Sequence, residues 1–408
     1  MRRQDKKNFI NYKRIIHWAC FALILIIALY FRVKFVQSVS HEMSPDAVNY
    51  SKMAQQLIEK GFYGYNSTTP NAYVTPGYPL FVALNYIIAE KLNWDPLVLT
   101  RYIQIFLSMC TLVMIYGLTR KLAKNGIVAL LAVFVTAIYP PFIWANGAVL
   151  TEVLGTFFFM GYILWQLYAF DSSSRRHSLI SGILMGLTVL VRPEFLPVIF
   201  VLYAIRWWQQ RDRRVGIMLL WSLLGIVLVL SPWWIRNAVT LHEFIPLATQ
   251  TNPLMAGSFP YNNYEDNMVD RNGKSDLEFT KERLIFGFTH YPRLFLWWYT
   301  FGKLEYLYSN MYHGGGHAPF YKVILSSKLL HDAIVWFGAA AILISFLRLK
   351  EQKIMLAAVI IIMSLIRLAF VPEFRYNFSL MPLFIVLAST TGYQIYCLMR
   401  NRNERKTE

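Results

Sequence analysis

Charged residues are scarce in this sequence. They make up 15% of the 408 residues, and hydrophobic residues make up 56%. A soluble domain of this size would carry about 25% charged residues. Apolar runs long enough to cross about 30 Å of hydrocarbon recur from one end of the chain to the other. This composition excludes an ordinary soluble domain and indicates an integral membrane protein in contact with the lipid bilayer.

Cysteines and nucleotide-binding motifs are lacking as well. The only cysteines are Cys20, Cys110 and Cys397, and all three lie inside apolar runs, which excludes a disulfide framework or a Cys-based metal site. The sequence contains neither a P-loop nor a GxGxxG motif, and no internal repeat of the kind found in many transporters. The net charge is +17, but Lys and Arg occur in short clusters between apolar runs, which indicates membrane topology and no nucleic-acid partner.

These basic clusters predict which loops face the cytoplasm. They lie at 2–14, 120–124, 175–176, 206–214, 348–353 and 400–406. Ten spans are then predicted, at 15–35, 98–118, 127–145, 153–170, 179–191, 195–208, 215–235, 330–347, 354–371 and 376–398. Both termini are expected in the cytoplasm and the protein in the plasma membrane. The first apolar run lacks a small-residue cleavage site, so an uncleaved first helix is expected.

Two segments need separate interpretation. The run 77–90 is too short for a comfortable span, which predicts a re-entrant or surface helix on the outer face. The run 179–208 is broken at Arg192-Pro193, which predicts two short helices that meet near the outer side. The predicted fold is all-α, a single multi-pass domain over 1–408, with a first outer loop at 37–97 that carries juxtamembrane helices and a large outer loop at 237–329.

Polar residues that are unusual for a membrane protein gather at one predicted level. Asp46 and Tyr50 lie in the first outer loop, and Glu152 opens its span from the outside. Five arginines lie at or near the outward ends of their spans: Arg101, Arg192, Arg236, Arg367 and Arg375. Two carboxylates with several guanidiniums at one depth would bind a phosphate and leave a base beside it.

Simpler interpretations exist for each of these residues. A single outward arginine is more often an interfacial anchor, and Asp46 could be the N-cap of the helix that follows it. The tract from His313 to His317 offers two histidines around three glycines as a weak metal site, although a connecting loop is the simpler interpretation.

Several strings of residues resemble a known family. They are Pro45-Asp46-Ala47-Val48-Asn49-Tyr50, Thr75-Pro76-Gly77-Tyr78-Pro79-Leu80, Leu150-Thr151-Glu152, Val191-Arg192-Pro193, Ser231-Pro232-Trp233-Trp234-Ile235-Arg236-Asn237 and Arg375-Tyr376. Their order and topology resemble the GT-C superfamily of membrane glycosyltransferases, family 39, which are bacterial relatives of protein O-mannosyltransferases and of the lipid A aminoarabinose transferase. The Lys-Pro-Pro pattern of the latter is replaced by Thr75-Pro76-Gly77, so the resemblance does not imply aminoarabinose or lipid A as substrates.

The resemblance implies a reaction and a set of roles. A hexosyl or pentosyl group would pass, with inversion, from a polyprenyl-phosphate donor to a hydroxyl of a glycan, lipid or protein on the outer face. The catalytic acidic residue of the first outer loop maps to Asp46, which would act as general base, and a second acidic position maps to Glu152.

The surrounding residues are expected to support these two carboxylates. Glu152 would orient Asp46 or share a divalent cation with it. Arg192, Arg236 or Arg375 would neutralise the leaving phosphate, and Tyr50 is expected beside the substrate. A glycan flippase or a small-solute transporter is the alternative function, although transporters place their charged residues near the bilayer midplane between repeats.

Overall fold

The computed structural model describes residues 3–38, 42–312 and 327–407, and in these ranges the chain forms helices and connecting segments without a strand. The first third forms α1 (Arg3–Ser38), α2 (Pro45–Lys60), α3 (Gly77–Leu92), α4 (Pro96–Ala123), α5 (Gly126–Ile138) and α6 (Pro140–Trp144). The middle of the chain forms α7 (Thr151–Ser172), α8 (Arg175–Val191), α9 (Pro197–Gln210), α10 (Arg213–Leu241), α11 (Asn252–Ala256), α12 (Asp276–His290), α13 (Pro292–Trp297) and α14 (Lys303–Ser309). The last part forms α15 (Ser327–Phe346), α16 (Lys353–Arg367) and α17 (Met381–Thr407).

Each of the ten predicted spans falls on a helix. Six helical stretches of the described chain are long and apolar enough to cross a membrane by themselves: Tyr12–Ser38, Pro96–Ala123, Thr151–Ser172, Arg213–Leu241, Ser327–Phe346 and Phe374–Asn401. The remaining predicted spans are the shorter helices α5, α8, α9 and α16. The all-α fold of a multi-pass membrane protein is therefore confirmed.

Proline sets the helix boundaries that differ from the predicted ones. The predicted span 127–145 is two helices, because Pro140 lacks the N–H that would continue α5 beyond Ile138. The predicted span 354–371 ends as a helix at Arg367, shortly before Pro372, and α17 is preceded by a 3-10 segment, Phe374–Leu380.

The predicted break at Arg192-Pro193 is confirmed. Because proline disfavours the helical conformation in the residue before it, Arg192 is extended, with φ −141° and ψ 96°, and α8 ends at Val191. A 3-10 turn, Pro193–Phe195, then leads into α9. Because of the break, Arg192 lies outside α8, and its side chain reaches Thr151, the first residue of α7.

Glycine allows α8 and α10 to pack closely. A Cβ on Gly182 would lie 1.9 Å from the carbonyl oxygen of Ser222, and one on Gly225 would lie 2.4 Å from the carbonyl oxygen of Leu179. Small residues that let two backbones approach are a common device for packing helices inside a membrane. This contact holds the end of α8, and with it Arg192, in a fixed place.

Neighbouring spans run in alternating directions, so the helix bundle has two distinct ends. At one end, which we call the basic end, Lys121 of α4 pairs with Asp171 of α7, and Lys353 of α16 donates to Gln394 of α17. At the other, which we call the loop end, α2, α3 and α11 to α14 pack over the helix termini.

Backbone hydrogen bonds join the loop-end segments into one layer. The amide of Thr249 donates to the carbonyl of Ala72 at 2.9 Å, and the amide of Val371 donates to the carbonyl of Pro253 at 2.8 Å. Lys303 of α14 donates to the carbonyl of Leu368 at 2.6 Å. The first loop, the large loop and the segment before α17 are therefore connected to one another over the helix ends.

Candidate active site

Asp46 is the second residue of α2. The cap of this helix is Ser44, whose hydroxyl accepts a hydrogen bond from the amide of Ala47, so the interpretation of Asp46 as the N-cap is wrong. The carboxylate of Asp46 instead accepts a hydrogen bond from the Tyr65 hydroxyl at 2.9 Å and one from Nη1 of Arg375 at 3.0 Å. Its side chain is 39% exposed.

Glu152 is the second residue of α7 and lies behind Asp46. Its side chain is 1% exposed, and Oε1 accepts hydrogen bonds from Nη2 of Arg192 and from Nε of Arg375, both at 3.0 Å. Arg375 therefore bridges the two carboxylates, and its guanidinium is held in one orientation from both sides. The structure thus brings together four of the residues that the sequence analysis predicted for the site: Asp46, Glu152, Arg192 and Arg375.

Two further residues, Glu194 and Arg367, extend this cluster. Arg367, the last residue of α16, donates from Nη2 to Oε1 of Glu194 at 3.0 Å, and Nη1 of Arg192 lies 4.0 Å from the same oxygen. Three carboxylates thus alternate with three guanidiniums in the order Asp46, Arg375, Glu152, Arg192, Glu194, Arg367, which we call the charge chain. Glu194 has no sequence signal beyond its place directly after the predicted helix break.

Several polar atoms of the charge chain lack a partner within the described residues. Nη1 of Arg192, Nε and Nη1 of Arg367, and Oε2 of Glu152 are buried without a hydrogen bond. A buried polar atom without a partner costs about 1–3 kcal/mol, and more if it is charged. Three N–H-bearing atoms on two neighbouring guanidiniums therefore lack a hydrogen-bond acceptor, which an anion could supply.

Two glycines make room for this arrangement. A Cβ on Gly155 of α7 would lie 3.0 Å from Cδ of Arg192, so a larger residue would push the arginine away from Glu152. A Cβ on Gly77, at the start of α3, would lie 2.6 Å from the carbonyl oxygen of Leu190. The short helix α3 therefore packs directly against the end of α8.

Two cavities meet at Asp46. The first, of about 410 Å³, is lined by Tyr50, Asp46 and the guanidiniums of Arg192, Arg367 and Arg375, and we call it the arginine cavity. Its apolar lining consists of Val74, Val191, Leu247, Ile366 and Phe370, with Pro193 and Pro253.

The second cavity, of about 710 Å³, is lined by Tyr264, Tyr312 and Glu373, and we call it the tyrosine cavity. Asp46 and Arg375 line both cavities. Glu152 lines neither of them, so Asp46 is the carboxylate of the pair that a bound molecule can reach.

Burial and charge set the protonation of the groups around Asp46. Burial, followed by the negative charge of Asp46, raises the pKa of Tyr50 far above its usual range. The same two causes raise the pKa of Tyr65 to about 12, so this phenol stays protonated and donates to Asp46. Burial opposes the charge of Glu194, but the guanidiniums of Arg192 and Arg367 outweigh it and lower the pKa of Glu194.

Arg236 lies outside both cavities. Its guanidinium donates to the carbonyls of Asn71 and Tyr63, both at 2.9 Å, and contacts the rings of Tyr63 and Trp233. The structure therefore does not bring Arg236 into the charge chain, and it places this residue as an anchor of the first loop on α10. Direct contact between Arg236 and a phosphate stays a prediction.

The expected divalent cation would require Asp46 and Glu152 to face each other. Arg375 lies between them instead, and no three His, Cys, Asp or Glu side chains come together within the residues that the structure describes. A guanidinium repels a metal ion, so these carboxylates do not fit a shared cation in this arrangement. The histidines of the tract 313–317 lie outside the described residues.

No protein-family model and no curated protein sequence matches this chain. Solved structures with the same fold include the oligosaccharyltransferase AglB from Archaeoglobus fulgidus, in complex with an inhibitory peptide and a dolichol-phosphate, with a TM-score of 0.57 and 16% identity over 97% of this chain and 52% of AglB. They also include ArnT from Cupriavidus metallidurans bound to undecaprenyl phosphate, with a TM-score of 0.54 and 13% identity over 90% of this chain and 59% of ArnT. The chain thus spans a little over half the length of each, and the likeness is one of fold.

Proposed function

We propose that this chain, a multi-pass membrane protein with the fold of the GT-C superfamily, transfers a single sugar from a polyprenyl-phosphate donor to an acceptor hydroxyl on the outer face of the membrane. The proposal rests mainly on Asp46, an accessible carboxylate where two cavities meet, beside arginines with unpaired N–H groups. The lipid phosphates bound to the two similar structures support a donor of this class.

The arginine cavity suits the phosphate of the donor. The unpaired atoms of Arg192 and Arg367 supply directed N–H donors, and planar guanidiniums match the geometry of a phosphate. Val191, Ile366 and Phe370 line the same cavity and would contact the first isoprene units of the lipid. The donor would therefore lie with its phosphate at the charge chain and its tail toward the apolar helix surfaces.

Asp46 would act as the general base. An acceptor hydroxyl that enters from the tyrosine cavity would give its proton to the carboxylate as its oxygen attacks the anomeric carbon. The bond from that carbon to the phosphate oxygen breaks, and its electron pair leaves with the phosphate. Attack from the side opposite the leaving phosphate inverts the anomeric carbon. General-base catalysis of this kind contributes about 10²–10⁴-fold.

Glu152 would act as a positioning residue. It holds Arg375 and Arg192 at 3.0 Å each, and Arg375 in turn holds Asp46. The oriented guanidiniums stabilise the negative charge that grows on the leaving phosphate. Because Arg375 lies where a shared metal would be, no step of this mechanism passes through a cation.

Turnover in detergent separates this function from transport. Purified protein should release polyprenyl phosphate from short-chain hexosyl and pentosyl donors, by hydrolysis or by transfer to an added acceptor, without any closed compartment. A flippase or transporter would instead leave every donor intact in detergent and move it across the bilayer of a liposome. Movement in liposomes without cleavage across the donor panel would overturn the proposal.

A further inference from the structure

The tyrosine cavity has the lining of a carbohydrate site. Tyr264, Tyr312 and Phe374 supply aromatic surfaces, and the side-chain amides of Gln250 and Asn252 supply both donors and acceptors. Aromatic faces pack against the C–H faces of sugars, while amides and carboxylates pair with hydroxyl groups. Gln250 also lines the arginine cavity, whereas Asn252 and the three aromatic residues line the tyrosine cavity and not the arginine cavity.

The charge of the tyrosine cavity is negative. Its charged lining residues are Asp46, Glu373 and Arg375, and Arg375 is already paired with Asp46 and with Glu152. Within the described residues the carboxylate of Glu373 has no hydrogen bond or ion pair of its own, and burial raises its pKa above the usual range against the opposing charge of Arg375. A phosphate on an acceptor would therefore meet an unpaired carboxylate and no free cation.

From these observations we infer that the tyrosine cavity binds the acceptor and that Glu373 selects uncharged glycans over phosphorylated ones. The inference rests on the proposed transfer reaction and assigns its acceptor class. A neutral glycan can donate a hydroxyl to Glu373 and stack on the tyrosines. A phosphorylated glycan repels the same carboxylate, because like charges brought together at a binding surface suppress the wrong partner.

Matched glycans test this selectivity. Short oligosaccharides are compared with the same molecules that carry one phosphate monoester, at about pH 8, well above the ordinary pKa of a glutamate side chain. The wild-type protein should prefer the neutral member by at least about tenfold in kcat/KM. Glu373→Gln should reduce that preference at least about threefold, because the repelling charge is gone. The preference is a ratio within each variant, so a general loss of activity does not affect it.

Glu265→Gln serves as the control, since Glu265 is an exposed carboxylate next to Tyr264 at the loop end and lines neither cavity. This variant should keep the wild-type preference. An equal or better use of phosphorylated glycans by the wild type, or an unchanged preference in Glu373→Gln, overturns the inference. The inference is also overturned if the donor is hydrolysed but no added glycan receives the sugar. Absence of donor turnover in any form, with or without acceptor, overturns the proposed reaction itself and is distinguishable from those results.

Discussion

Asp46 and Glu152 occupy the same position in their helices but differ in access, and the roles proposed for them follow from this difference. Asp46→Asn keeps the size of the side chain and cannot take a proton, so transfer should fall at least about 10²-fold while the protein stays folded. Ser44→Ala is a suitable control. It removes the cap of α2, which should cost about 1 kcal/mol of stability, and it leaves the carboxylate in place.

Both variants are compared by single-turnover transfer and by melting temperature in detergent. Because Ser44 caps α2, a change in transfer by Asp46→Asn cannot arise from the loss or gain of a helix cap at position 46. Normal transfer by folded Asp46→Asn would place the base elsewhere.

The arginines provide a second prediction at this scale. Arg192→Ala and Arg367→Ala should each weaken binding of a short polyprenyl phosphate by about 1.5–3 kcal/mol, the value of a hydrogen bond to a charged group. Lysine at either position should restore only part of the affinity, because a point charge lacks the planar fork. Arg236→Ala should lower the melting temperature and weaken lipid binding less. If Arg236→Ala weakens lipid binding more than Arg192→Ala and Arg367→Ala do in a binding titration, Arg236 belongs to the phosphate site.

The sequence could not determine which arginines line the cavities. The six residues predicted for the site all lie at the loop end, but Arg236 lines neither cavity. The level of a residue along a helix does not determine the side of the helix on which its side chain lies. Arg236 follows Trp233 by one turn and lies against its ring, whereas Arg367 ends α16 and reaches Glu194 across the helix break. The pair Trp233-Trp234 shortly before Arg236 was the feature of the sequence that could have predicted this aromatic contact.

At the scale of elements, long apolar runs and prolines predicted the helices, and tertiary contacts shaped the rest. Hydrophobic length placed α1, α4 and α10, and Pro193 placed the break after α8. The helices α11 to α14 have no comparable signal, because their sequences are mixed in polarity. Contacts such as the ion pair of Arg283 with Asp266, both nearly buried, hold that segment together, and they join residues 17 positions apart.

Lys303 gives a prediction about the attachment of α14. Burial lowers the pKa of Lys303 to about 7, although its ammonium group donates to the carbonyl of Leu368. Between that pKa and the ordinary value near 10.5 the unfolded chain binds more protons than the folded one, so stability rises with pH in that window. From about pH 7 to about pH 9 the gain should be about 2 kcal/mol.

Melting temperatures of wild type and Lys303→Met, measured across this range, test the effect by subtraction. The difference between the two proteins should shift in favour of the wild type as the pH rises, since methionine does not titrate. A difference that stays constant with pH would mean that the lysine is not buried in its charged form.

In the molecule as a whole, the basic clusters of the sequence lie at the basic end and the charge chain lies at the loop end. This distribution predicts the orientation of the protein in the membrane. In a protein without its native cysteines, single cysteines at Asn66 and Asn263 belong to the loop end, and ones at Ser173 and Asn401 belong to the basic end. All four positions are exposed. An impermeant thiol reagent added to intact cells should label the first two and spare the last two. The opposite pattern would place Asp46 on the cytoplasmic side.

In the proposed reaction, the N–H groups of Arg192 and Arg367 that lack an acceptor would affect the step after transfer. The donor is a phosphate diester with one negative charge, whereas the spent carrier is a monoester with about −1.5 to −2 charges at neutral pH. Guanidiniums held in place for the first attract the second more strongly. Departure of the used lipid, and not bond making, would then limit the steady rate. Added polyprenyl phosphate should accordingly compete with the donor at lower concentration than the donor's own KM, and a burst of product should precede slow turnover.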